Sequence, residues 1–480
     1  MEDNSVLIKN FLEIPYDELE RINLKAKQQA LSDLPTNSLE SVYRKLLVKE
    51  TRIKAVMICF SDIEGRLHTI DYDKKYFLKE STSLTFDGSS IRGYSIISKS
   101  DLRLIPDWRS FRWLPSDVFG PGKVLLFASV TDQKGRVHPT DMRARLSGRL
   151  TELYAKDKMR LYLGHEIEGF LVEEKSAEQK FDERIGFQPV SEGGYYHVLP
   201  GTKLKEFIDK AAEAQRALGF ENEKDHPEVA SSQFELNYAY TNALMACDQA
   251  QLYKLICRQI AHAMKRTATF LPKPIIGING SGMHTNLSLF KENKNLFYDV
   301  KGQYGMSAFA RKFVSRLLNH ANEICLILNS SVNSYRRLDP NFEAPNRICV
   351  STSDRGAMIR LPMGTARSTR LEIRSVAPDC NPYLVAYTVL GVGLLGKGLP
   401  KTGKKRQRVR FLAKTINEAL RYFKSSDLIA QILGKEVKKK YSYYKGLAAG
   451  RAPSALGTRI KNGEVLYHHE VTNQTIWNAF

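Results

Sequence analysis

The chain has 480 residues, 42% hydrophobic and 26% charged, which excludes a disordered polypeptide and suggests two or three domains rather than one small core. Lys and Arg (72) outnumber Asp and Glu (52), giving a formal charge of +20 that attracts anions. The basic runs Lys401–Arg410 and Lys435–Lys440 have no interleaved aromatics to stack bases, so they read as a loop and a solvated helix end, which weighs against a nucleic-acid role.

In chain order, Tyr16–Leu31 and Leu39–Val48 have helical texture and are divided by the turn signal Asp33-Leu34-Pro35, so residues 1–45 are expected to form a helical extension. Apolar strand-like runs follow at Ile53–Phe60 and Val124–Thr131, either side of Asp87-Gly88-Ser89-Ser90, and delimit a small mixed domain over 46–138. Asp141–Met159 has helical periodicity and Arg160–Val172 reads as a strand. Strands and helices then alternate to about residue 395. The apolar run Tyr383–Leu395 is too short to span a bilayer and reads as a buried helix. The last part, 412–480, is mostly helical (Leu412–Phe423, Asp427–Leu433) with a Gly-rich break at Gly446–Gly457. The class is α+β, with residues 139–480 as the larger domain.

The six cysteines (59, 247, 257, 325, 349 and 380) form no C-x-x-C pair, which argues against a zinc site or a disulfide framework. The start, Met1-Glu2-Asp3-Asn4, lacks the basic and apolar regions of a signal peptide. A soluble, cytoplasmic protein with no membrane role is expected.

Four strand-like segments each place polar groups on one face by alternation: Glu166 and Glu168; Gln233, Glu235 and Asn237; His284, Asn286 and Ser288; Arg370, Glu372 and Arg374. Taken singly, each is the water-facing side of a half-buried strand, and a lone His284 is an ordinary core residue. Brought into one concave sheet, they make a cleft whose carboxylates and single histidine suit Mg²⁺ or Mn²⁺, and whose arginines suit phosphate or carboxylate. That chemistry is phosphoryl transfer onto, or beside, an acidic substrate. No G-x-x-x-x-G-K-[ST] is present to cradle a nucleotide.

The segment Pro272-Lys-Pro-Ile-Ile-Gly-Ile-Asn-Gly-Ser-Gly-Met-His284 resembles the glutamate- and ATP-binding signature of the glutamine synthetase family, bacterial type (class I). Further matching segments stand in family order: Phe86-Asp-Gly-Ser-Ser-Ile, Gly164-His-Glu-Ile-Glu-Gly-Phe, Glu228-Val-Ala-Ser-Ser-Gln-Phe-Glu235, Asn333-Ser-Tyr-Arg-Arg-Leu-Asp-Pro-Asn-Phe-Glu-Ala-Pro345, Arg370-Leu-Glu-Ile-Arg-Ser-Val and Asn381-Pro-Tyr-Leu.

The resemblance implies a β-grasp domain followed by a catalytic domain whose curved antiparallel sheet forms a funnel flanked by helices. It implies ATP-dependent ligation of ammonia to the γ-carboxylate of L-glutamate through γ-glutamyl phosphate, giving glutamine, ADP and phosphate. Two alternatives are a γ-glutamyl ligase using another amine and a catalytically silent regulatory relative. Asp87-Gly-Ser-Ser with Asp101 favours ammonia, and retention of every metal-binding position speaks against silence. Two divalent cations are implied, one held by Glu168, Glu228 and Glu235, the other by Glu166, His284 and Glu372. Glutamate positions fall on Asn279, Gly280, Arg337, Arg355 and Arg374, and nucleotide positions on Glu223, Tyr240, Asn286, Ser288, Arg355 and Arg360. The implied catalytic set is Asp87, with Asp101 beside it, to bind and deprotonate ammonium, Glu343 on a closing flap, and Arg355 at the transferred phosphoryl group. The family assembles as hexameric rings, stacked into dodecamers, with Asp87 supplied across the subunit boundary, so a homo-oligomer is expected. Two departures stand out. Ser232 replaces a usual glycine before Gln233, and Gly169 stands in the Glu166–Glu168 strand, where glycine weakens strand propensity. The tyrosine-bearing loop that some relatives adenylylate has no counterpart after Gly396, so no such regulation is expected.

Overall fold

The computed structural model describes residues 14–450, apart from 33, 182–184, 199, 340, 341, 343, 363 and 401–407. Glu343 therefore lies outside the described residues, as do most of the Gly446–Gly457 break and most of the Lys401–Arg410 run.

Two helices open the described chain, Tyr16–Leu31 and Thr36–Lys49. A five-stranded sheet follows, built from β1 (Ala55–Ser61), β2 (Leu67–Asp73), β3 (Thr85–Asp87), β4 (Asp101–Trp113) and β5 (Lys123–Thr131) in the order β2-β1-β5-β4-β3. Only β1 and β5 run parallel within this sheet. One face of β1 and β5 (Val56, Ile58, Phe60; Val124, Leu126, Ala128) packs in a core with Leu19, Tyr43 and Leu47 of the opening helices. Their other face (Met57, Cys59; Leu125, Phe127) joins the core of the larger domain. This two-sided burial explains why both strands read as nearly unbroken apolar runs.

The opening helices dock onto both domains. Buried Asn23 donates to the carbonyls of Trp113 (2.9 Å) and Ala217 (2.7 Å), and accepts from the Trp113 amide (2.8 Å). Lys27 pairs with Glu221 at 2.5 Å.

The larger sheet contains β6 (Met159–Val172), β7 (Asn222–Pro227), β8 (Gln233–Tyr238), β9 (Thr241–Asn242), β10 (Thr267–Thr269), β11 (Met283–Lys291), β12 (Lys294–Asn295), β13 (Arg347–Ser351), β14 (Ala357–Arg360) and β15 (Leu371–Ile373). Its main path is β13-β14-β15-β11-β6-β8-β7, and only β13 and β14 are parallel, so the sheet is antiparallel except at that edge. Helices Met142–Asp157, Lys203–Ala217 and Ala243–Ala263 pack on it. Asp141 caps the first of them, accepting from the Ala144 amide (2.9 Å), and Asn242 caps the third through the Met245 amide (3.0 Å).

Asn381 caps the buried helix Pro382–Leu395 and also donates to the carbonyls of Asp62 and Ile63 at 3.3 and 3.2 Å. One side chain thus starts a helix and ties the two domains. Opposite it, a Cβ on Gly65 (φ +90°) would lie 2.5 Å from the Asn381 Cα, so only glycine fits that turn.

The C-terminal helices begin at Ile416, not Leu412, because the Thr415 hydroxyl caps there, accepting from the Glu418 amide. Lys435–Lys440 opens the helix Lys435–Ala449. It is not simply solvated: Lys438 donates to the Lys424 and Ser426 carbonyls, and Lys440 to those of Gly93 and Tyr94. Farther along, buried Lys445 pairs with buried Glu64 at 2.7 Å, and Glu64 also holds Arg92. Five of the six cysteines are buried, and all six are free. No helix among the described residues is long and apolar enough to cross a membrane.

Candidate active site

Strand register assembles the site. Glu166 and Glu168 alternate along β6 and so share its polar face. Across the β6–β11 pairing, His284 stands opposite Glu166. Across β11–β15, Glu372 stands opposite Asn286, one step along the same face from His284. On the other side, Glu235 of β8 faces Glu168, and His226 of β7 faces Glu235. All four polar faces read from the sequence converge on one cleft.

Two clusters result. In the first, one ligand atom each from Glu166, His284 and Glu372 lies within 4.8 Å of the others. In the second, His226, Glu228 and Glu235 do the same. The first trio matches expectation. In the second, His226 stands where Glu168 was expected, while Glu168 sits between the clusters. One Glu168 oxygen accepts from the Gly282 amide (2.8 Å) and the Gln233 amide (3.3 Å), and the other lies 3.9 Å from His284 Nε2.

The charge around the clusters differs. Glu372 is fully buried, with Arg360 Nη2 and Arg374 Nη1 each 2.5 Å from its oxygens. Burial opposes ionisation of Glu166, but His284, Asn286 and Arg360 outweigh it and hold its pKa at about 2. In the second cluster, burial and then the neighbouring carboxylates push Glu228 and Glu235 up. Nε2 of buried His226 has no hydrogen-bond partner among the described residues. Repelling carboxylates plus an unmet imidazole nitrogen fit a hard divalent cation, as does the first trio of two carboxylates and one histidine.

The cleft continues as two adjoining cavities. One, of about 300 Å³, is lined by Asn279, Gly280, Arg337, Arg355 and Arg374, all five glutamate positions expected from the sequence. Buried Arg337 is pressed down to about pKa 10 by desolvation, against the pull of Glu168, and donates to the Arg374 carbonyl. Glycine is needed here for close approach: a Cβ on Gly280 would lie 2.3 Å from the Pro272 carbonyl, and one on Gly282 2.5 Å from an Arg337 nitrogen. The second cavity, of about 340 Å³, is lined by Glu223, Tyr240, Asn286 and Ser288, four of the expected nucleotide positions. Arg360 and Arg355, the other two, line the first cavity, and Glu166, Lys224 and Arg370 line both.

Asp87 and Asp101 line neither cavity of their own chain. They face each other across β3–β4, and exposed Asp87 accepts from the Ser89 amide (2.9 Å) and from the Ser89 and Ser90 hydroxyls (both 2.6 Å). Those bonds favour the carboxylate and lower its pKa.

His226 and Lys224 were not assigned roles from the sequence, and Arg370 was read only as one of the anion-binding arginines of its strand. Lys224-x-His226-x-Glu228 does alternate, but Pro227 closes β7 before Glu228 and interrupts the pattern.

The two departures acquire physical reasons. A Cβ on Gly169 would stand 2.8 Å from the Phe234 ring and 2.9 Å from Phe270, so glycine admits two aromatic rings against β6 rather than merely weakening it. Ser232 is fully buried at φ +63°, a conformation glycine holds more cheaply. Its hydroxyl accepts from the Val190 (2.7 Å) and Ser191 (2.9 Å) amides and donates to the Ser191 carbonyl.

A curved sheet carrying paired carboxylate–histidine clusters beside an arginine-lined cleft defines a metal-dependent enzyme acting on anionic substrates. Residues 52–133 match the glutamine synthetase beta-Grasp domain and residues 140–447 the glutamine synthetase catalytic domain. The chain is 34% identical to a glutamine synthetase of Thermotoga maritima over 419 residues, covering 83% of this chain and 93% of that protein. It is 36% identical to one of Thermus thermophilus over 420 residues, covering 81% and 91% respectively. A solved Plasmodium falciparum glutamine synthetase shares the fold, with a TM-score of 0.78 at 19% identity over 90% of this chain and 98% of that one. The chain belongs to the glutamine synthetase family.

Proposed function

We propose that the protein is a glutamate–ammonia ligase that joins ammonia to the γ-carboxylate of L-glutamate at the cost of ATP, releasing glutamine, ADP and phosphate. The observation that carries this reading is the continuity of the cleft: an arginine-lined cavity of about 300 Å³ adjoins one of about 340 Å³, and Glu166, Lys224 and Arg370 belong to both walls. An acceptor carboxylate and a γ-phosphate held in the two parts would meet beside the acidic clusters.

A carboxylate resists attack by an amine because oxide is a poor leaving group. A γ-carboxylate oxygen therefore attacks the γ-phosphorus, the bond to ADP breaks, and γ-glutamyl phosphate forms. Arg337, Arg374, Asn279 and Gly280 hold the amino acid, and Arg355 and Arg360 offset charge on the transferred group. Two divalent cations, one at each cluster, would supply further charge stabilisation when bound. Asp87, ionised at neutral pH and supplied with Asp101 by a neighbouring copy in a ring-shaped oligomer, binds ammonium and removes a proton. The nitrogen lone pair then attacks the acyl carbon and phosphate leaves. Glu343 is assigned to the flap that excludes water from the acyl phosphate. The chemistry suits a cytoplasmic enzyme with ready access to ATP and glutamate.

Purified protein with ATP, Mg²⁺ or Mn²⁺ and glutamate is expected to release phosphate and form glutamine on addition of ammonium, with smaller or no release from methylamine, ethanolamine and putrescine. Faster turnover with one of those amines would reassign the acceptor. No release with any amine would overturn the ligase reading.

A further inference from the structure

A third cavity, of about 310 Å³, lies between β4 and the helices Met142–Asp157 and Ala243–Ala263, and shares no lining residue with the cleft. It is large enough for a small metabolite. Three guanidiniums and two carboxylates line it. The carboxylates are committed: Asp248 accepts from Arg143 Nε (2.8 Å), Arg143 Nη2 (2.7 Å) and the Tyr383 hydroxyl (2.7 Å), and Asp107 accepts from Arg143 Nη2 (2.9 Å).

Arg112 is left over. It is only 6% exposed, its hydrogen bond goes from Nη1 to the carbonyl of its neighbour Phe111 (2.7 Å), and no described carboxylate lies within ion-pair distance. Burial lowers its pKa, and Tyr43, Asp248 and Asp107 counter this only from a distance. Arg109, half-buried on the same wall, donates to the carbonyls of Ala30 (2.9 Å) and Ser32 (3.3 Å) and to that of Leu34, again with no carboxylate partner among the described residues. Gln249, 4% exposed, also faces the cavity, and its Oε1 has no hydrogen-bond partner among the described residues. Asp107 and Asp248 offset the charge of Arg112 at longer range, but no carboxylate touches the guanidinium, and a buried fork with unused N–H donors matches a carboxylate or phosphate.

We propose that this interdomain cavity binds a small anionic metabolite through its carboxylate or phosphate group, held by Arg112 with Arg109 beside it, while the Gln249 Oε1 accepts from a donor elsewhere on the same molecule. Its occupant joins two elements that serve the reaction. β4 pairs with β3, which carries Asp87, and the Ala243–Ala263 helix holds β6 through the Tyr253 hydroxyl on the Ile167 carbonyl at 2.9 Å. Binding there is placed to adjust turnover, and it does not depend on the identity of the amine.

The test uses full-length protein, with inorganic phosphate and succinate as separate probes, read by equilibrium dialysis and thermal unfolding. Wild type is compared with Arg112→Met, with Ser129→Leu to occupy the cavity, and with Arg337→Met to remove anion binding in the cleft. At least one probe is expected to bind wild type and Arg337→Met with similar affinity, and to bind Arg112→Met and Ser129→Leu at least tenfold more weakly. The tighter probe distinguishes a phosphate from a carboxylate source. If Arg112→Met does not fold, Ser129→Leu gives the same reading. Equal binding by wild type, Arg112→Met and Ser129→Leu, loss of all binding in Arg337→Met, or no binding by wild type would each overturn the proposal.

Discussion

The two acidic clusters sit side by side on one sheet yet solve the same electrostatic problem differently. Around Glu166, His284 and Glu372, the protein supplies its own positive charge: two guanidiniums grip Glu372, and Glu166 is held ionised. Around His226, Glu228 and Glu235 the charge of Lys224 and Arg355 offsets too little, and burial, then the neighbouring carboxylates, push Glu228 and Glu235 toward protonation. The first cluster is thus preformed without a cation, while the second becomes fully charged only when one arrives.

The sharpest way to break this contrast is Glu372→Ala. It leaves Arg360 and Arg374 facing a buried vacancy, and should cost about 3–5 kcal/mol of stability as well as turnover. Denaturant midpoints and activity read both; an unchanged midpoint would mean that the guanidiniums do not depend on Glu372. Gly169→Ala is next. It pushes on Phe234 beside Glu235 and should cost about 1–3 kcal/mol while weakening cation binding at the second cluster more than at the first. Calorimetric titration with Mn²⁺ would separate the two sites, and equal weakening would deny them independence.

The smallest effect is a pH dependence. Because folding raises the Glu235 pKa, this group holds more proton in the folded metal-free protein than in the unfolded chain above about pH 4.3, so its contribution to stability falls as pH rises toward the folded value. Glu235→Gln removes that loss and should gain on wild type by up to about 1 kcal/mol per pH unit, with chelator present. Saturating Mg²⁺ should reverse the order, since the variant lacks a ligand. A constant difference across pH would contradict the raised pKa.

The polar faces of β6, β8, β11 and β15 were legible because alternation is a local property and each strand keeps it. His226 escaped because its face is completed by Glu228, beyond the proline that ends β7. Gly169 was misread for the opposite reason. Its role depends on rings from Phe234 and Phe270, which no local pattern brings together. Asp87 and Asp101 matched a motif, but the described chain leaves them outside its own cleft, so the role proposed for them would need a second copy. Arg112 carries no motif at all. Its lack of a carboxylate in contact appears only when β4 packs against helices from later in the chain.

One feature of β6 sets a limit on how this sequence can change. Glu166 and Glu168 are two residues apart on a single extended strand, which fixes their Cα separation at roughly 6.6 Å. The strand acts as a gauge bar between these two carboxylates, and its graduation is set by backbone geometry rather than by side-chain packing. A single-residue insertion or deletion within β6 would not merely stretch the gauge but turn it over, offering His165, Ile167 and Gly169 to the cleft in place of the carboxylates. Length in this strand is therefore less tolerant of change than the identity of most residues around it.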